Sequence, residues 1–320
     1  MVGNLLKVRV VSKWMEATDI CGLELAAVDG ALPGFSAGSH IDLHLPNGDI
    51  RPYSLVGNLF DRERYILGVL REKASRGGSA YIHERVEPGD VIEISQPRNL
   101  FPLTPSATHS VLIAGGIGIT PIIAMAHQLA ADGSSFELHY FSRSHERAAF
   151  LGRLHETDFA DAVSLHFDTD HGDGAPPLNA AIPAPAPGTH LYVCGPMGFI
   201  DAVLGLAAAS GYAAECLHAE LFSARPKMHD GDTGFFVRLA RSGRLVLVPP
   251  DRTIVEALAD VGVSIKTSCA QGMCGVCATR VIEGIPDHRD LYFRPEEHDR
   301  NDIITPCCSR SKSGLLILDI

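Results

Sequence analysis

The sequence predicts a multidomain chain: an antiparallel β-barrel, an α/β domain with a parallel sheet, and an α+β domain of the β-grasp type. Short runs of Val, Ile and Leu separated by turn sequences such as Asn-Gly and Pro-Gly-Asp occupy the first hundred residues, a spacing typical of a small barrel. Strands then alternate with helices, which predicts a parallel sheet covered on both faces. A hairpin, a capped helix and a cysteine loop follow. In a chain of 320 residues we place the domains at 1–104, 105–222 and 234–320, with a linker at 223–233.

The composition excludes several classes of protein. The net charge is −11, which argues against nucleic acid as a partner and suits docking on a basic protein surface, although solubility alone explains it equally well. No apolar run approaches the ~18 residues of a membrane span. The first residues, Met1 to Lys7, lack a signal-peptide pattern. We therefore expect a cytoplasmic protein with no membrane partner.

The barrel domain contains two motifs that predict ligand chemistry. Its expected strands are 8–11, 21–27, 40–45, 65–69 and 91–94, with one helix near 78–86. Arg51, Tyr53, Ser54 and Leu55 place a cation, an aromatic ring and a hydroxyl on one further strand, a set that suits a flat ring bearing a phosphate. The turn Arg76-Gly77-Gly78-Ser79 leads into the helix, and its bare N–H groups and the helix dipole make an anion cradle. Each motif alone is also explained by an ordinary strand or turn.

The second domain begins with the anatomy of a dinucleotide site. A buried strand at 111–114 runs into Gly115-Gly-Ile-Gly-Ile-Thr-Pro121 and then an apolar helix to about residue 131. Thr120 is expected as the N-cap and Pro121 as the first helical residue. The motif is not G-x-G-x-x-G. The remaining predicted strands are 136–141, 163–167, 191–193 and 216–220, and the remaining predicted helices are 145–156 and 198–210.

Three further segments of this domain bear on ligands. Cys194-Gly195-Pro196-Met197 follows a strand at the edge where open α/β sheets bind ligands, although an ordinary turn has the same pattern. Arg143 follows the second strand, where a 2′-phosphate would be recognised, and by itself favours NADPH. The segment from Asp168 to Gly174 suggests a calcium loop, but the third ligand position is Gly172 and no closing Glu follows, so we expect a solvated loop.

The last domain is organised around Cys269, Cys274 and Cys277, with Cys307 and Cys308 later in the chain. The spacing C-x4-C-x2-C…C is that of plant-type ferredoxins, which hold a [2Fe–2S] cluster on four thiolates. Structural zinc sites more often pair two C-x2-C-like knuckles, and a disulfide lacks a secretory context. Either Cys307 or Cys308 can be the fourth ligand, since only one of two adjacent side chains can face the cluster. The surrounding strands are expected at 235–240, 245–248, 278–282 and 315–319, with a capping box at Thr253 and Glu256 starting a helix at 254–261.

Over essentially its whole length the chain resembles the phthalate dioxygenase reductase family, which includes vanillate O-demethylase reductases. The resemblance lies in Arg51-Pro-Tyr-Ser-Leu55, Ser75-Arg-Gly-Gly-Ser79, Gly115 to Pro121, Cys194-Gly-Pro196, His218-x-Glu220-x-Phe222, the cysteine loop and Pro286-Asp-His-Arg-Asp290. The domains follow the family's order of flavin, nicotinamide and ferredoxin.

The resemblance implies three redox groups and a set of residues for each. It implies FMN on the barrel, contacted by Arg51, Tyr53, Ser54 and Leu55, with its phosphate on Arg76, Gly77, Gly78 and Ser79. It implies NADH, rather than the NADPH that Arg143 favours, held by Gly116, Ile117, Gly118, Thr120, Cys194, Gly195, Pro196 and Met197, with Phe222 beside the flavin. It also implies Cys307 as the fourth cluster ligand, because the family pattern C-x-S-R fits Cys307 to Arg310.

We therefore predict the reductase component of a two-component Rieske non-haem iron oxygenase from aromatic catabolism. A nicotinamide gives up two electrons as one hydride and the cluster accepts one electron at a time, so a flavin must stand between them. Two alternatives stay open: a reductase for a diiron monooxygenase or a cytochrome, and a sensor or carrier with the cluster alone. Seven acidic residues predict a docking face for the oxygenase, although an ordinary solvated face has the same composition: Glu283, Asp287, Asp290, Glu296, Glu297, Asp299 and Asp302.

Overall fold

The computed structural model describes residues 5–57, 59, 61–72, 77–171, 177–222, 229, 231–270, 272–290 and 292–320. The chain divides into two compact units, Met1–Phe222 and Ser223–Ile320. The first contains the barrel and the parallel sheet, and the second contains the cysteine loop. The division of the first unit between residues 104 and 105 stays a prediction. Within the described ranges, no helix is both long and apolar enough to cross a membrane.

The barrel is a seven-stranded antiparallel sheet in the order β4-β5-β2-β1-β6-β3-β7, and it closes because β3 also pairs with β4. Its elements are β1 (Leu6–Ala17), β2 (Ile20–Ala27), β3 (Ser39–His44), β4 (Ile50–Val56), β5 (Arg64–Leu70), α1 (Gly78–Arg85), β6 (Val91–Ile94) and β7 (Arg98–Asn99). Alternate residues of these strands, such as Leu23, Leu43 and Leu67, point into one buried core. The five expected strands and the helix are confirmed, and the pair of residues that forms β7 was not predicted.

The second sheet has the order β10-β9-β8-β11-β12, and each of its four pairings is parallel. Its elements are β8 (His109–Gly115), α2 (Ile119–Ala131), β9 (Ser135–Ser142), α3 (Leu151–His155), β10 (Val163–Phe167), β11 (Thr189–Gly195), α4 (Met197–Ala209) and β12 (Leu217–Leu221). The chain leaves β8 towards β9 on one side and returns to β11 on the other. The carboxyl ends of β8 and β11 therefore form the switch point where α/β sheets bind ligands.

Two predicted details of this sheet are wrong. Thr120 is not the N-cap of α2, because a 3₁₀ turn at Gly116–Gly118 precedes the helix and Gly118 takes that position. The Thr120 hydroxyl instead donates to the carbonyl of Ile117 (3.0 Å). The single helix expected at 145–156 is broken into a 3₁₀ turn and the short α3, because Phe150 has a left-handed backbone (φ 62°).

The barrel and the parallel sheet share a hydrophobic core. Val56 and Phe101 of the barrel domain belong to the same buried cluster as Leu112 of β8 and Ile123 of α2. A partly buried hydrogen bond reinforces this contact, since the backbone N–H of Phe150 donates to the Glu16 carboxylate at 2.7 Å. This continuous apolar packing explains why both sheets form one compact unit.

The second unit is a β-grasp sheet of order β14-β13-β19-β15-β17, in which β13 and β19 are parallel. Its elements are β13 (Phe235–Leu239), β14 (Leu245–Val248), α5 (Ile254–Asp260), β15 (Thr279–Glu283), β16 (Pro286–Asp287), α6 (Pro295–His298), β17 (Ile303–Ile304), β18 (Arg310–Ser311) and β19 (Leu315–Leu318). The capping box predicted at the start of α5 is confirmed, with Thr253 and Glu256 bonding each other's backbone N–H groups. The cysteine loop follows α5 and leads into β15.

Candidate functional site: a flavin and nucleotide cleft and a separate cysteine centre

The two predicted motifs of the barrel meet in space. Arg51 on β4 lies across the start of α1, and a Cβ added to Gly78 would be 2.6 Å from its Cγ and 2.7 Å from its Nε. Glycine at this position therefore lets the arginine lie against the helix backbone. Asp49 holds the guanidinium at 2.8 Å. A cation at a helix N-terminus with bare N–H groups suits a phosphate.

The other residues of these two motifs lie on β4 or at the start of α1. Gly77 is the N-cap of α1 with φ 110°, a conformation that favours glycine. Ser79 is buried, and its hydroxyl accepts from the N–H of Glu72 at 3.2 Å. Tyr53 packs partly against the barrel core, and burial raises its pKa. Leu55 is fully buried and therefore structural, and Arg76 lies outside the described residues.

Two loops meet at the carboxyl edge of the parallel sheet. A Cβ added to Gly118 would lie 2.2 Å from the carbonyl oxygen of Cys194 and 2.6 Å from the nitrogen of Gly195. Gly115 and Gly195 are similarly tight, since a Cβ at either would lie within 3.0 Å of the Phe199 ring. Glycine at these positions therefore brings the turns after β8 and β11 into backbone contact. The two predicted nucleotide-binding segments are therefore adjacent at this edge of the sheet.

The exposed members of the nucleotide set lie beside this edge. Pro196 is the N-cap of α4, and Met197, the first residue of α4, is 39% exposed. Ile117 is half-buried in the 3₁₀ turn. Phe222 follows β12 immediately and is 39% exposed. Arg143 is exposed just beyond the carboxyl end of β9.

One residue at this edge had no role in the sequence prediction. Glu220 on β12 is the register partner of Cys194 and is 6% exposed. The Ser54 hydroxyl of the barrel donates to its carboxylate at 3.4 Å. Burial raises the pKa of Glu220 to about 8, so the carboxyl holds a proton at neutral pH. Burial and this carboxyl also raise the pKa of the Cys194 thiol. The sequence did contain a signal for this residue. Glu220 is the middle residue of the motif His218-x-Glu220-x-Phe222, and an acidic residue inside a predicted strand of the sheet core indicates a buried carboxyl.

Five cysteines gather in the second unit. Cys274, Cys277, Cys307 and Cys308 are buried, and Cys269 is half-buried. The N–H of Met273 donates to the Cys269 sulfur at 3.4 Å, and the N–H of Cys269 to the Cys274 sulfur at 3.5 Å. Left-handed glycines shape the loop, with φ 75° at Gly272 and 71° at Gly275.

Cys307 and Cys308 have different neighbours. Cys307 interacts with the Cys277 thiol and accepts from the backbone N–H of Gly272, and the bond with Cys277, followed by burial, raises its pKa to about 12. The Cys308 sulfur instead lies 3.3 Å from the Thr305 hydroxyl and 3.8 Å from that of Ser309. Both sulfurs lie close to the loop, since a Cβ added to Gly272 would be 2.4 Å from the Cys308 sulfur, but only Cys307 bonds the Cys277 thiol, whereas Cys308 bonds Cys307, Thr305 and Ser309.

The donor set fits an iron–sulfur cluster. Hydrogen bonds with neighbouring thiols, together with burial, raise the pKa of Cys274, Cys307 and Cys308, and only a strongly positive group would convert several of them to thiolates together. Gly272 and Gly275 have no Cβ, which lets the loop backbone approach inorganic sulfide closely. The residues present therefore fit a [2Fe–2S] cluster held by Cys269, Cys274, Cys277 and one residue of the 307–308 pair.

A second group of potential metal ligands lies near this centre, and its geometry does not suit a metal. His288, Asp290 and His298 place ligand atoms within 4.8 Å of one another. The two imidazole rings stack at 4.2 Å with an interplanar angle of 21°, so no ion can lie in the planes of both. The Asp290 carboxylate already accepts from the N–H of Phe293 and the hydroxyl of Thr305.

Comparisons with known proteins found similarity in each of the two compact units. A profile described as "2Fe-2S iron-sulfur cluster binding domain" matches residues 237–312, and one described as "Dimethylamine monooxygenase subunit DmmA-like, N-terminal domain" matches residues 94–217. The chain is 50% identical to the vanillate O-demethylase oxidoreductase of Pseudomonas putida, over 97% of this chain and 98% of that protein. It is 38% identical to the phthalate dioxygenase reductase of Burkholderia cepacia, over 99% of this chain and 98% of that protein. The chain belongs to the phthalate dioxygenase reductase family.

Solved structures give the same result for the fold. A phthalate dioxygenase reductase described as a modular structure for electron transfer from pyridine nucleotides to [2Fe–2S] superimposes with a TM-score of 0.73 at 38% identity, over 99% of this chain and 98% of that one. A type IV self-sufficient cytochrome P450 monooxygenase gives 0.79 at 36% identity, over 99% of this chain but 41% of that one.

Family membership confirms several predictions. The three-part fold class is right, and the chain is a flavin- and NADH-dependent iron–sulfur oxidoreductase, the reductase component of an oxygenase system. The cofactors expected from the resemblance, FMN, NADH and a [2Fe–2S] cluster, are those of this family. The zinc, disulfide and cluster-only interpretations are therefore discarded.

Proposed function

We propose that this reductase delivers electrons to a Rieske-type oxygenase that removes the O-methyl group of vanillate. The 50% identity to a vanillate O-demethylase oxidoreductase over nearly the whole of both chains supports this choice of partner. The structural observation that carries the proposal is the contact between Ser54 and Glu220. It sets the predicted flavin strand of the barrel directly against the sheet edge where the nicotinamide would bind.

We assign the flavin to the barrel side of this contact. Arg51 and the helix start at Gly77, Gly78 and Ser79 would hold its phosphate, with Arg76 next to them in sequence. Tyr53 and Ser54 would lie along the ring. Leu55 is fully buried and would support the strand from within. When bound, the flavin accepts a hydride from NADH and releases its electrons singly to the cluster.

The nucleotide would occupy the carboxyl edge of the sheet. Gly116, Ile117, Gly118 and Thr120 would bind it from the turn after β8, and the residues from Cys194 to Met197 from the turn after β11. Phe222, exposed beyond β12, would cover the flavin until the nicotinamide displaces it. Glu220 holds a proton near pH 7 and is a neutral hydrogen-bonding partner for Ser54, so this carboxyl places no full negative charge beside the flavin strand.

The cluster would be held by Cys269, Cys274, Cys277 and Cys307. Support for Cys307 over Cys308 comes from its contact with the Cys277 thiol. Cys308 would then be a buried free thiol in the pocket formed by Thr305 and Ser309.

The test measures electron delivery to a defined acceptor. The purified holoprotein is reduced with NADH without oxygen, and the flavin and cluster absorption bands should both bleach. Addition of the oxidised oxygenase component of vanillate O-demethylase should restore them and reduce the Rieske centre. If the bands bleach but that oxygenase stays oxidised, the proposed partner is wrong.

A second candidate acceptor is a cytochrome P450. The similarity to part of a self-sufficient P450 monooxygenase shows that a chain of this fold also occurs joined to other domains. In the same assay a purified P450 replaces the oxygenase, with carbon monoxide difference spectra as the readout. Faster reduction of the P450 than of the Rieske oxygenase would favour this candidate.

A further inference from the structure

An exposed tyrosine rests on the cysteine loop of the second unit. Tyr292 is 43% exposed. A Cβ added to Gly275 would lie 2.2 Å from the Cζ atom of Tyr292, so the tyrosine ring packs directly on the loop backbone between Cys274 and Cys277. Phe293 supports the ring edge-on, at a centroid distance of 4.9 Å. One face of this aromatic therefore meets the cluster loop while the other meets solvent.

A buried carboxylate holds the segment that bears Tyr292. Asp290 is 5% exposed and accepts from the N–H of Phe293 at 3.0 Å. It also accepts from the hydroxyls of Thr305 and Ser309, at 3.1 and 3.3 Å. Those two residues flank the Cys307–Cys308 pair. Asp290 thus fastens the tyrosine segment to the chain that supplies the fourth ligand, and Tyr292 contacts the loop that supplies the other three.

The charges around Tyr292 differ from the predicted acidic face. Asp290 is buried and Asp287 is bound to Arg289 at 2.6 Å, so neither faces a partner as predicted. Glu283, Glu296, Asp299 and Asp302 remain exposed and Glu297 is half-buried. Arg294 and Arg300 are exposed among them, and Arg300 lies 3.6 Å from Glu297. Beside the aromatic pair, Phe293 shares a shallow surface depression with Arg280, Glu297, Arg300 and Asp302, so the rim is mixed in charge.

We propose that this surface, which we call the Tyr292 surface, is where the oxygenase component docks to receive electrons. The inference rests on the proposed function, because an electron-accepting partner must approach the cluster. Half-exposed aromatic residues surrounded by a charged rim are the usual anchors of protein interfaces. Electron transfer falls steeply with distance, and Tyr292 stands between the cluster loop and solvent. The partner that fits is a protein with an apolar pocket and a rim of both charge signs around its own redox centre.

The test compares Tyr292→Ala with Tyr292→Phe and with Leu247→Ala. Leu247 is 54% exposed on strand β14 and serves as the matched control for loss of an exposed apolar side chain. The probes are the oxygenase component of vanillate O-demethylase, cytochrome c as a small basic protein acceptor, and ferricyanide, which needs no docking. Iron content and the visible spectrum establish that each variant holds its cluster.

We expect Tyr292→Ala to raise the KM for the oxygenase about 10-fold or more, the effect of losing an interface anchor. Tyr292→Phe and Leu247→Ala should stay within about 2-fold of the native protein, and ferricyanide reduction should be the same in all four. An unchanged KM for Tyr292→Ala, or an equal loss with ferricyanide, overturns the proposal. If the native protein does not reduce this oxygenase, the proposed function fails separately, and the KM for cytochrome c then decides whether the Tyr292 surface docks a protein acceptor.

Discussion

Substitution of Gly118 by alanine tests the contact that builds the nucleotide edge. An added Cβ would lie 2.2 Å from the carbonyl oxygen of Cys194, 2.4 Å from its carbonyl carbon and 2.6 Å from the nitrogen of Gly195. All three atoms are backbone of β11, which is paired on both sides, with β8 and with β12. The clash cannot be relieved by a side-chain rotation, so either the sheet edge or the turn after β8 must move.

The loss of folding free energy in Gly118→Ala is estimated from the known effect of overpacking a protein interior. Inserting a methyl group into well-packed surroundings costs about 1–3 kcal/mol, and we take about 3 kcal/mol because the obstacle is backbone. For a unit of about this size, 1 kcal/mol corresponds to roughly 2–4 °C in melting temperature, so Gly118→Ala should melt about 6–12 °C lower. Gly116→Ala is the matched control. Its Cβ meets nothing within 4 Å, and only its φ of 54° opposes alanine, at about 1 kcal/mol and hence roughly 2–4 °C.

The assay follows the fluorescence of released flavin during heating of the holoprotein, which reports on the first unit alone. The KM for NADH should also rise in Gly118→Ala, because the two turns can no longer approach each other. A melting temperature within 1 °C of the native protein, or a larger loss in Gly116→Ala, would refute the reasoning.

Three other predictions concern single contacts. Cys307→Ser should lose most of the cluster while Cys308→Ser retains it, as measured by iron content and visible absorption; the reverse result would make Cys308 the ligand. Burial raises the pKa of Glu220 from 4.5 to about 8, so the folded state binds an extra proton in that window and the stability of the first unit should fall as pH rises through it. The slope should reach about 1.4 kcal/mol per pH unit and should flatten in Glu220→Gln; equal slopes in flavin-release midpoints would contradict the assignment. Asp232 is bound by Arg289 at 2.9 Å and lies 3.6 Å from Arg310, and Arg289 holds the pKa of Asp232 well below its usual range. Asp232→Asn should therefore destabilise the second unit by about 3 kcal/mol, visible as cluster bleaching at lower temperature, and an unchanged bleaching curve would show that this pairing contributes little.

Local patterns determined the fold class. Strand positions in the barrel follow from short β-branched runs, and the parallel sheet follows from strands alternating with helices. The cysteine spacing determined the cluster type, because three ligands within nine residues restrict both the metal and the shape of the loop. The capping box at Thr253 was also predictable, since its bonds join residues three apart in sequence.

The path of the backbone and the packing of side chains decided details that the residue types left open. Thr120 has the residue type of an N-cap, yet the glycine turn before it begins the helical path earlier and passes that position to Gly118. Asp287 and Asp290 belong to an acidic run, and only packing shows that one is paired and the other buried.

The sequence by itself determined the cluster type through the cysteine spacing, while FMN and NADH followed from the resemblance of its motifs to one reductase family. Only the tertiary structure decided which side chains face one another. It brought Ser54 to Glu220 across 166 positions, separated the surroundings of Cys307 and Cys308, and set Tyr292 on Gly275. The physical reason is that hydrogen bonding and side-chain packing depend on distances of a few ångströms between segments far apart in the chain, and no local pattern encodes those distances.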